Sequence, residues 1–301
     1  MLYRTYSEYL KETYGEKVYK LPINLPLTCP NRDGTLGTGG CIFCAESGAG
    51  FESLPAHLSV KEQLCRNRDY IGKKYHAQKF IAYFQNFTNT YLPLGDFRRN
   101  LEAALLPGVV EIAVSTRPDC LGDEYLDALA AIRETGVNVS LELGLQSAND
   151  RTLEIIHRGH TVNDFCDAVC RAHARDIPVC AHLIINLPWD TQDDILRAAS
   201  LLNEYEVEGV KVHSLYVVKG TPLAEMYERG EVAMIPYEDY VRRTILFLEH
   251  LSPNTVIHRL CGRAPEAITL FENYGRSWRW VHDDILRTME KEAAYQGKEF
   301  R

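Results

Sequence analysis

Strand-like and helix-like stretches alternate along most of the chain, which is the pattern of β-α-β units in a parallel sheet. Helical stretches of ten or more residues separate the strands, so that neighbouring strands can run in the same direction. An open or closed α/β barrel fits this order best, and we predict an α/β fold with a partial (β/α)6 TIM-type barrel. The six predicted strands cover residues 18–27, 80–85, 109–114, 137–145, 179–187 and 210–218.

The pattern changes from about Pro222, where helical stretches are joined by connections rich in arginine and aromatic residues. We therefore predict two parts. Residues 1–222 form the barrel core with an N-terminal helix, and residues 223–301 form a mainly helical extension that covers the core. The N-terminal helix carries an aromatic stripe that includes Tyr6 and Tyr9, and we expect this stripe to be a packing face.

Polar and special residues follow the ends of the predicted strands. In α/β barrels the chemistry lies at the carboxyl ends of the strands, where the loops meet. One polar cluster after a strand would be chance, whereas six in register indicate the rim of an active site. These clusters contain Cys29, Asn86, Ser115, Gln146, Asn186 and Lys219, one after each strand in chain order.

The first of these clusters carries the most specific chemistry. Cys29, Cys41 and Cys44 fall within sixteen residues on a glycine-rich loop. A structural zinc site takes four protein ligands, and a four-iron cluster is normally held by four thiolates, one for each iron. Three thiolates leave one iron open, and an open iron can bind a substrate or a cofactor. The loop therefore favours a cluster with a free coordination site.

Two other interpretations of the cysteines stay open at this point. Cys65 could complete a zinc site, and a disulfide pair with a leftover thiol is also possible. Cys65 follows Ser59 and Glu62, which form the signature of a capping box at the start of a helix. That places Cys65 on a separate helix, where a packing role is more common than metal ligation. A zinc-stabilised binding module is the non-enzyme alternative.

Composition limits the class of protein, the compartment and the partners that the chain can be expected to have. Of 301 residues, 46% are hydrophobic and 25% are charged, which is ordinary for a globular protein with a packed core. No apolar run reaches membrane-spanning length, no signal peptide is recognisable, and nine irregularly spaced cysteines favour a reducing cytoplasm. The formal charge of −8 argues against nonspecific nucleic-acid binding, yet residues 61–100 hold eight Lys/Arg and three Asp/Glu, so a local basic face is possible.

The segment CPNRDGTLGTGGCIFC, which begins at Cys29, resembles the radical SAM superfamily and, within it, the YhcC/YtqA-type family. Its wide cysteine spacing is also typical of the catalytic subunit of elongator. The stretches ELGLQS from Glu142 and RGHT from Arg158 are similar to the fourth strand of that family and the turn after it. The resemblance implies that Cys29, Cys41 and Cys44 ligate a [4Fe-4S] cluster. S-adenosylmethionine would chelate the open iron and be cleaved to a 5′-deoxyadenosyl radical.

The same resemblance implies roles for residues at other strand ends. Asn86 lies where relatives turn backbone toward the methionine amino group of S-adenosylmethionine. Ser115, Gln146, Arg158 and His182 lie where relatives hold the ribose, the carboxylate or the adenine of S-adenosylmethionine.

A tRNA whose wobble-uridine side chain is modified is the substrate that the resemblance implies, and a small metabolite or a peptide is the alternative. The segment from Arg276 to Trp280 could stack on RNA or could form a packed C-terminal core. An electron donor such as flavodoxin or ferredoxin is expected as a partner, and no membrane is expected.

Overall fold

The computed structural model describes residues 2–45, 53–263 and 265–301. Seven parallel strands form one curled sheet, a half-barrel, in the order β1-β2-β3-β4-β5-β6-β8, and β7 pairs antiparallel with β9. This confirms the predicted α/β partial barrel. The strands are β1 (Val18–Ile23), β2 (Lys79–Phe84), β3 (Val109–Thr116), β4 (Asn138–Gln146), β5 (Val179–Ile184), β6 (Gly209–His213), β7 (Val217–Val218), β8 (Val256–Arg259) and β9 (Thr269–Phe271).

Helices connect the strands and cover the convex face of the sheet. Capping boxes begin several of them, because a Thr or Ser hydroxyl and an acidic side chain three residues later bond each other's backbone N–H groups. The α-helices are α1 (Tyr6–Tyr14), α2 (Val60–Tyr75), α3 (Leu94–Ala103), α4 (Asp123–Arg133), α5 (Asp150–Ile155), α6 (Val162–His173), α7 (Gln192–Glu204), α8 (Pro222–Glu228), α9 (Tyr237–His250) and α10 (Trp278–Lys291).

Helix α1 fills the gap between the two edge strands of the half-barrel. The backbone N–H of Ile257 in β8 donates to the carbonyl of Arg4 at 2.9 Å, just before the helix begins. The ring of Tyr6 stacks on His258 of β8 with centroids 3.8 Å apart. Tyr9 packs with a small cluster of buried residues that includes Ile81 of β2. The prediction that the aromatic stripe of this helix is a packing face is confirmed.

The extension after residue 222 is not only a helical cover, because it contributes β8 as the seventh strand of the main sheet. Four residues with two polar side chains are too short and too mixed to read as a strand from sequence. Trp278 and Trp280 are partly buried against the core, and the Arg276 guanidinium lies 3.9 Å from the Trp280 ring centroid. The packing interpretation of this segment is therefore correct. The division at residue 222 stays a prediction.

Two findings concern the cysteines and membrane-spanning helices. All nine cysteines are free thiols, so the disulfide interpretation is wrong. Within the described ranges, no helix is long and apolar enough to cross a membrane.

We expect the C-terminal extension to unfold together with the core, because α9 packs against α7 and Phe247 in α9 is fully buried. Phe247→Ala should lower the free energy of unfolding by about 3–5 kcal/mol, since it leaves a cavity that the fold cannot fill. Urea unfolding followed by circular dichroism measures this, with Phe300→Ala as the matched exposed control. Two separate unfolding transitions in the wild type would contradict the expectation.

Candidate active site

A cavity of about 270 Å³ opens at the carboxyl ends of the strands of the half-barrel. The cysteine loop, between β1 and α2, forms one wall. Residues from β2 to β6, and from the segment after β8, form the rest. Seven of the eight predicted site residues line this single cavity, although they come from distant parts of the chain. They are Cys29, Cys41, Cys44, Ser115, Gln146, Arg158 and His182.

Asn86 is the predicted residue that does not line the cavity. Its side chain is buried and donates to the Asn24 side-chain oxygen at 2.7 Å. Its neighbours Gln85 and Phe87 line the cavity instead, and Phe87 has a left-handed backbone with φ 55°. The chain therefore makes a sharp turn here, and the role predicted for Asn86, which acts through the backbone, stays a prediction.

Three side chains aim N–H groups at the sulfurs of the cysteine loop. The amide nitrogen of Asn31 lies 3.6 Å from Cys41 Sγ, and Arg158 Nη1 lies 3.7 Å from the same sulfur. Arg117 Nη1 lies 4.0 Å from Cys29 Sγ. Hydrogen bonds and positive charge stabilise thiolates, which are the form in which cysteine binds iron. The surroundings of the loop therefore fit a thiolate-bound group.

The described residues hold no group of three His, Cys, Asp or Glu side chains that is close enough to bind a single metal ion. An iron–sulfur cluster does not need such a group, because each thiolate binds a different iron. Burial and the nearby Cys41 raise the pKa of Cys44, and the Arg32 and Arg158 charges oppose this shift. Cys41 and Cys44 are thus near enough to influence each other electrostatically.

Glycine at two positions lets arginines approach the site. Gly40 has φ +87°, and a Cβ there would lie 2.9 Å from Arg32 Nε. A Cβ on Gly144 would collide with Arg158 Nη2, which donates to the carbonyl of Gly144 at 3.1 Å. Either glycine replaced by alanine would push an arginine away from the cysteine loop.

The end of β4 is distorted where it reaches the cavity. The β4–β5 pairing shifts register between Gly144 and Gln146, and Gln146 has a left-handed backbone with φ 71°. A non-glycine residue in that region costs about 1–3 kcal/mol and is found mostly at functional sites. The bulge turns Gln146 into the cavity, where the sequence predicted it to bind the cofactor.

His160 fixes the orientation of Arg158. His160 Nε2 lies 2.9 Å from both Arg158 Nε and the carbonyl oxygen of Gly144, and Nδ1 lies 3.1 Å from the carbonyl oxygen of Thr161. Burial, together with the charge of Arg158, lowers the pKa of His160 to about 3. The imidazole therefore stays neutral and holds the guanidinium against Cys41.

A buried carboxylate, Glu142 in β4, joins side chains from across the floor of the cavity. Tyr83 Oη donates to Glu142 Oε2 at 2.6 Å, His182 Nε2 at 2.7 Å and Lys211 Nζ at 2.8 Å. Lys20 of β1 pairs with the other carboxylate oxygen. Five strands of the half-barrel thus meet at one side chain that is 1% exposed. We call these five residues the polar layer.

The charges of the polar layer are fixed by its contacts. Burial alone would raise the pKa of Glu142, but Lys20, Lys211 and the hydrogen bond from His182 hold it well below its usual range. Burial lowers the pKa of His182 to about 4, so this ring is neutral. Because its Nε2 donates to Glu142, its Nδ1 carries no proton and can accept a hydrogen bond.

Sequence reasoning missed most of the polar layer. Glu142 was noticed only as part of a motif, and Lys20 and Lys211 were not singled out. A signal was present, because each of the two lysines stands inside an otherwise apolar strand, in VYKLPI and GVKVH. A charge at an inward position of a buried strand needs a partner, although the sequence does not say which one.

We expect Glu142→Gln to lower the free energy of unfolding by about 3–5 kcal/mol at pH 7, because two partly buried lysines lose their buried counter-charge. The folded-state pKa of Glu142 is depressed, so its stabilising contribution is lost as the pH falls below the ordinary value of 4.5. The difference between wild type and variant should therefore shrink below about pH 4.5. Urea unfolding at a series of pH values measures this, with the exposed Glu154→Gln as control.

Comparison with known proteins extends these observations. The protein YtqA of Bacillus subtilis is 35% identical over 99% of this chain and 93% of its own length. A tRNA uridine(34) acetyltransferase of Methanocaldococcus jannaschii is 29% identical over 49% of this chain and 27% of its own length. The solved structure of the archaeal Methanocaldococcus infernus Elp3, with an N-terminal deletion, has the same fold, with a TM-score of 0.70 and 16% identity. The alignment covers 93% of this chain and 64% of that one.

Family profiles cover most of the chain. Residues 29–202 match the Radical SAM superfamily, and residues 207–291 match the Radical SAM C-terminal domain. The first match begins at Cys29, the first thiol of the cavity wall. With this match and a relative such as YtqA aligned over nearly its whole length, the chain belongs to the radical SAM superfamily, a family of enzymes whose cofactors are a [4Fe-4S] cluster and S-adenosylmethionine.

Proposed function

We propose that Cys29, Cys41 and Cys44 hold the [4Fe-4S] cluster and leave one iron to S-adenosylmethionine. The observation that carries this proposal is the convergence of three thiols on the cavity wall, with N–H donors from Asn31 and Arg158 directed at Cys41 Sγ. When bound, the reduced cluster and S-adenosylmethionine supply a 5′-deoxyadenosyl radical that removes hydrogen from an unactivated carbon. Because the chain belongs to a family of enzymes, this replaces the zinc-stabilised binding module.

The protein's own side chains would bind and orient S-adenosylmethionine. Gln146 is turned inward by the β4 bulge, and Ser115 lies beside the polar layer, 3.0 Å from Tyr83 Oη. His182 offers an acceptor at Nδ1, which suits a hydroxyl or an exocyclic amine. Arg158 lies between the Cys41 sulfur and the carbonyl of Gly144, where a cofactor carboxylate can reach its guanidinium. These assignments agree with those implied by the resemblance.

The source of electrons and the compartment follow from the same chemistry. Each turnover needs one electron at low potential, and we propose a small carrier such as flavodoxin or ferredoxin as the donor. Nine free thiols suit a reducing cytoplasm, where we place the enzyme.

Replacing Cys41 by Ala should remove the iron and the brown colour, because one of three protein ligands is lost. Cys65→Ala is the matched control, since Cys65 lies on α2 and does not line the cavity. Iron content and 5′-deoxyadenosine release are measured anaerobically with dithionite and S-adenosylmethionine. Equal loss of iron in the two variants would indicate a four-thiolate site and would end the open-iron proposal. A fully loaded wild type that releases no 5′-deoxyadenosine would also count against it.

We further propose that the substrate is a tRNA, modified on the side chain of the wobble uridine. The support is sequence similarity over 49% of the chain to a protein named tRNA uridine(34) acetyltransferase. The cysteine spacing shared with the catalytic subunit of elongator points the same way. The similarity covers 27% of that relative, so the proposal concerns the tRNA and not the acetyl transfer.

Helix α2 offers a surface for RNA, in place of the C-terminal tryptophans. Tyr70 is 62% exposed and Tyr75 is 46% exposed. Lys74 Nζ lies 5.5 Å and 5.2 Å from their two ring centroids, and Lys73 is exposed beside it. Exposed aromatic rings with neighbouring cations are the usual platform for unpaired bases and phosphates. The basic stretch 61–100 seen in the sequence includes this helix.

Exchanging both Lys73 and Lys74 for Gln should weaken retention of bulk tRNA and flatten its dependence on salt, because up to two phosphate contacts are lost. Filter binding across a salt series measures the slope. Lys291→Gln, an exposed change on α10, is the control and should leave the slope unchanged.

A strain without the gene should lose one modified wobble nucleoside and regain its precursor, as measured by mass spectrometry. Unchanged nucleosides, together with no retention of tRNA at low salt, would favour a small metabolite or a peptide instead.

A further inference from the structure

Hydrogen-bond donors are concentrated in one corner of the cavity, on β6, β8 and the segments that follow them. Lys211, His213, Tyr216 and Arg259 all line this corner, which we call the donor corner. These residues come from one edge of the sheet, whereas the cysteines lie on the loop that follows β1 at the other edge. None of these four residues was assigned a role in cofactor binding above.

The charges that line the cavity are strongly unbalanced on a protein with a net charge of −8. Among the described residues, six cationic side chains and one carboxylate line it. Three of the cations lie beside the cysteine loop, where thiolates would offset them and where Arg117 is also paired with Asp119, and three lie at or near the donor corner. The carboxylate is Glu142, and the cations are Arg32, Arg117, Arg158, Lys211, Arg259 and Arg263.

Glu142 cannot neutralise the donor corner. Its carboxylate is shared between Lys20 and Lys211, and Arg259 adds a further positive charge next to them. Burial, together with the charges of Lys20 and Arg259, lowers the pKa of Lys211 to about 8 against the attraction of Glu142. Excess buried positive charge is costly, and an incoming anion relieves that cost.

The donor corner also holds hydrogen-bonding groups that have no partner. Arg259 Nε and Tyr216 Oη are buried, and neither finds a partner in the part of the chain that the structure describes. A Cβ on Gly262 would lie 2.6 Å from Tyr216 Oη and 3.1 Å from Arg259 Cζ, so this glycine leaves room for both. Buried polar groups are rarely left unsatisfied unless a ligand or water completes them.

The imidazole of His213 presents a donor too. Arg259 Nη2 lies 2.6 Å from His213 Nδ1, and because arginine can only donate, Nδ1 is the acceptor. Nε2 of His213 therefore carries the proton. Lys211 and Arg259 are obligatory donors, and the Tyr216 hydroxyl can donate as well. A ligand group that fits this corner must be an acceptor with negative charge.

We propose that the donor corner is a subsite for an anionic group of the substrate, a carboxylate or a phosphate, held by Lys211, Arg259 and Tyr216. The inference rests on the proposed function only in placing S-adenosylmethionine at the cysteine end of the cavity. Binding at this corner would fix the substrate at one end, so that the carbon to be attacked is presented to the cofactor. The substrate would accordingly carry a carboxylate or a phosphate within a cavity length of the reacting carbon.

Calorimetric titration of the anaerobic, cluster-loaded protein tests the subsite directly. Inorganic phosphate and acetate are titrated separately at constant ionic strength, with chloride as the reference anion. We expect phosphate or acetate to bind at least tenfold more tightly than chloride, with one ion for each chain. The anion that binds more tightly identifies the chemistry of the substrate group. Binding of phosphate and acetate no tighter than that of chloride would overturn the proposal.

Substitutions locate the binding. Arg259→Gln should weaken the affinity for the preferred anion at least tenfold, and Arg229→Gln, an exposed arginine at the end of α8, should not change it. Tyr216→Phe should weaken anion binding without lowering the midpoint of thermal unfolding, because the lost hydroxyl has no hydrogen-bond partner among the described residues. If Tyr216 had a purely structural role, Tyr216→Phe would lower the midpoint of thermal unfolding and leave the affinity for the anion unchanged. Wild-type affinity in both variants would overturn the proposal.

The same titration with saturating S-adenosylmethionine, and without reductant, separates the subsite from the cofactor site. We expect the anion to bind alongside the cofactor with its affinity unchanged. Competition would mean that the corner holds the carboxylate of S-adenosylmethionine, which overturns the proposal while leaving the radical SAM assignment intact. Conversely, if the protein bound the anion but could not be loaded with iron, the subsite proposal would be supported and the proposed function would be contradicted.

Discussion

The paired carboxylate of Glu142 is the interaction on which the interior of the half-barrel depends. A closed barrel fills its interior with branched apolar side chains. A half-barrel that must leave space for ligands cannot do so. Here one interior layer is polar, and Glu142 accepts hydrogen bonds from three strands and an ion pair from a fourth. A buried charge is tolerated only when it is paired and hydrogen-bonded, so this network also fixes how the strands curve around it.

The residues on the side of the polar layer that faces away from the cavity help to determine how strongly its charges are screened. The sheet does not close on itself, and α1 lies against both edge strands with Tyr6 stacked on His258. Aromatic rings of α1 pack with Ile81 and Ala113 at the end of the half-barrel that faces away from the active-site cavity. A second cavity of about 620 Å³, lined partly by Glu111 and Ser140, lies beside them. Glu142 itself is only 1% exposed, so little water reaches its carboxylate. In this low dielectric, the charges of Lys211 and Glu142 act on any ligand above them with less screening than at a surface.

At both ends of the cavity, a glycine allows an arginine side chain to approach the backbone closely. At the cysteine end, Gly40 and Gly144 let arginines pack against the backbone beside the thiols. At the donor corner, Gly262 gives the same close approach to Arg259 and Tyr216. In each place the missing side chain sets the position of a guanidinium. Arg158 faces sulfur at one end, and at the other end Arg259 Nε has no hydrogen-bond partner among the described residues, which makes the cavity chemically asymmetric.

The sequence by itself determined the alternation of strands and helices, the caps that begin several helices, and the loop of three thiols. These are local features, because each depends only on the residue types and their spacing within one segment. The sequence also predicted seven of the residues that line the cavity, because parallel strands place their carboxyl ends side by side.

The seventh strand, the closure by α1 and the polar layer were decided only by the tertiary structure. The same holds for the side chain of Asn86, which turns away from the cavity toward Asn24. Each of these depends on which distant residue becomes a neighbour. Lys20 and Glu142 are 122 positions apart and meet only because the sheet curls, and no local pattern records that contact.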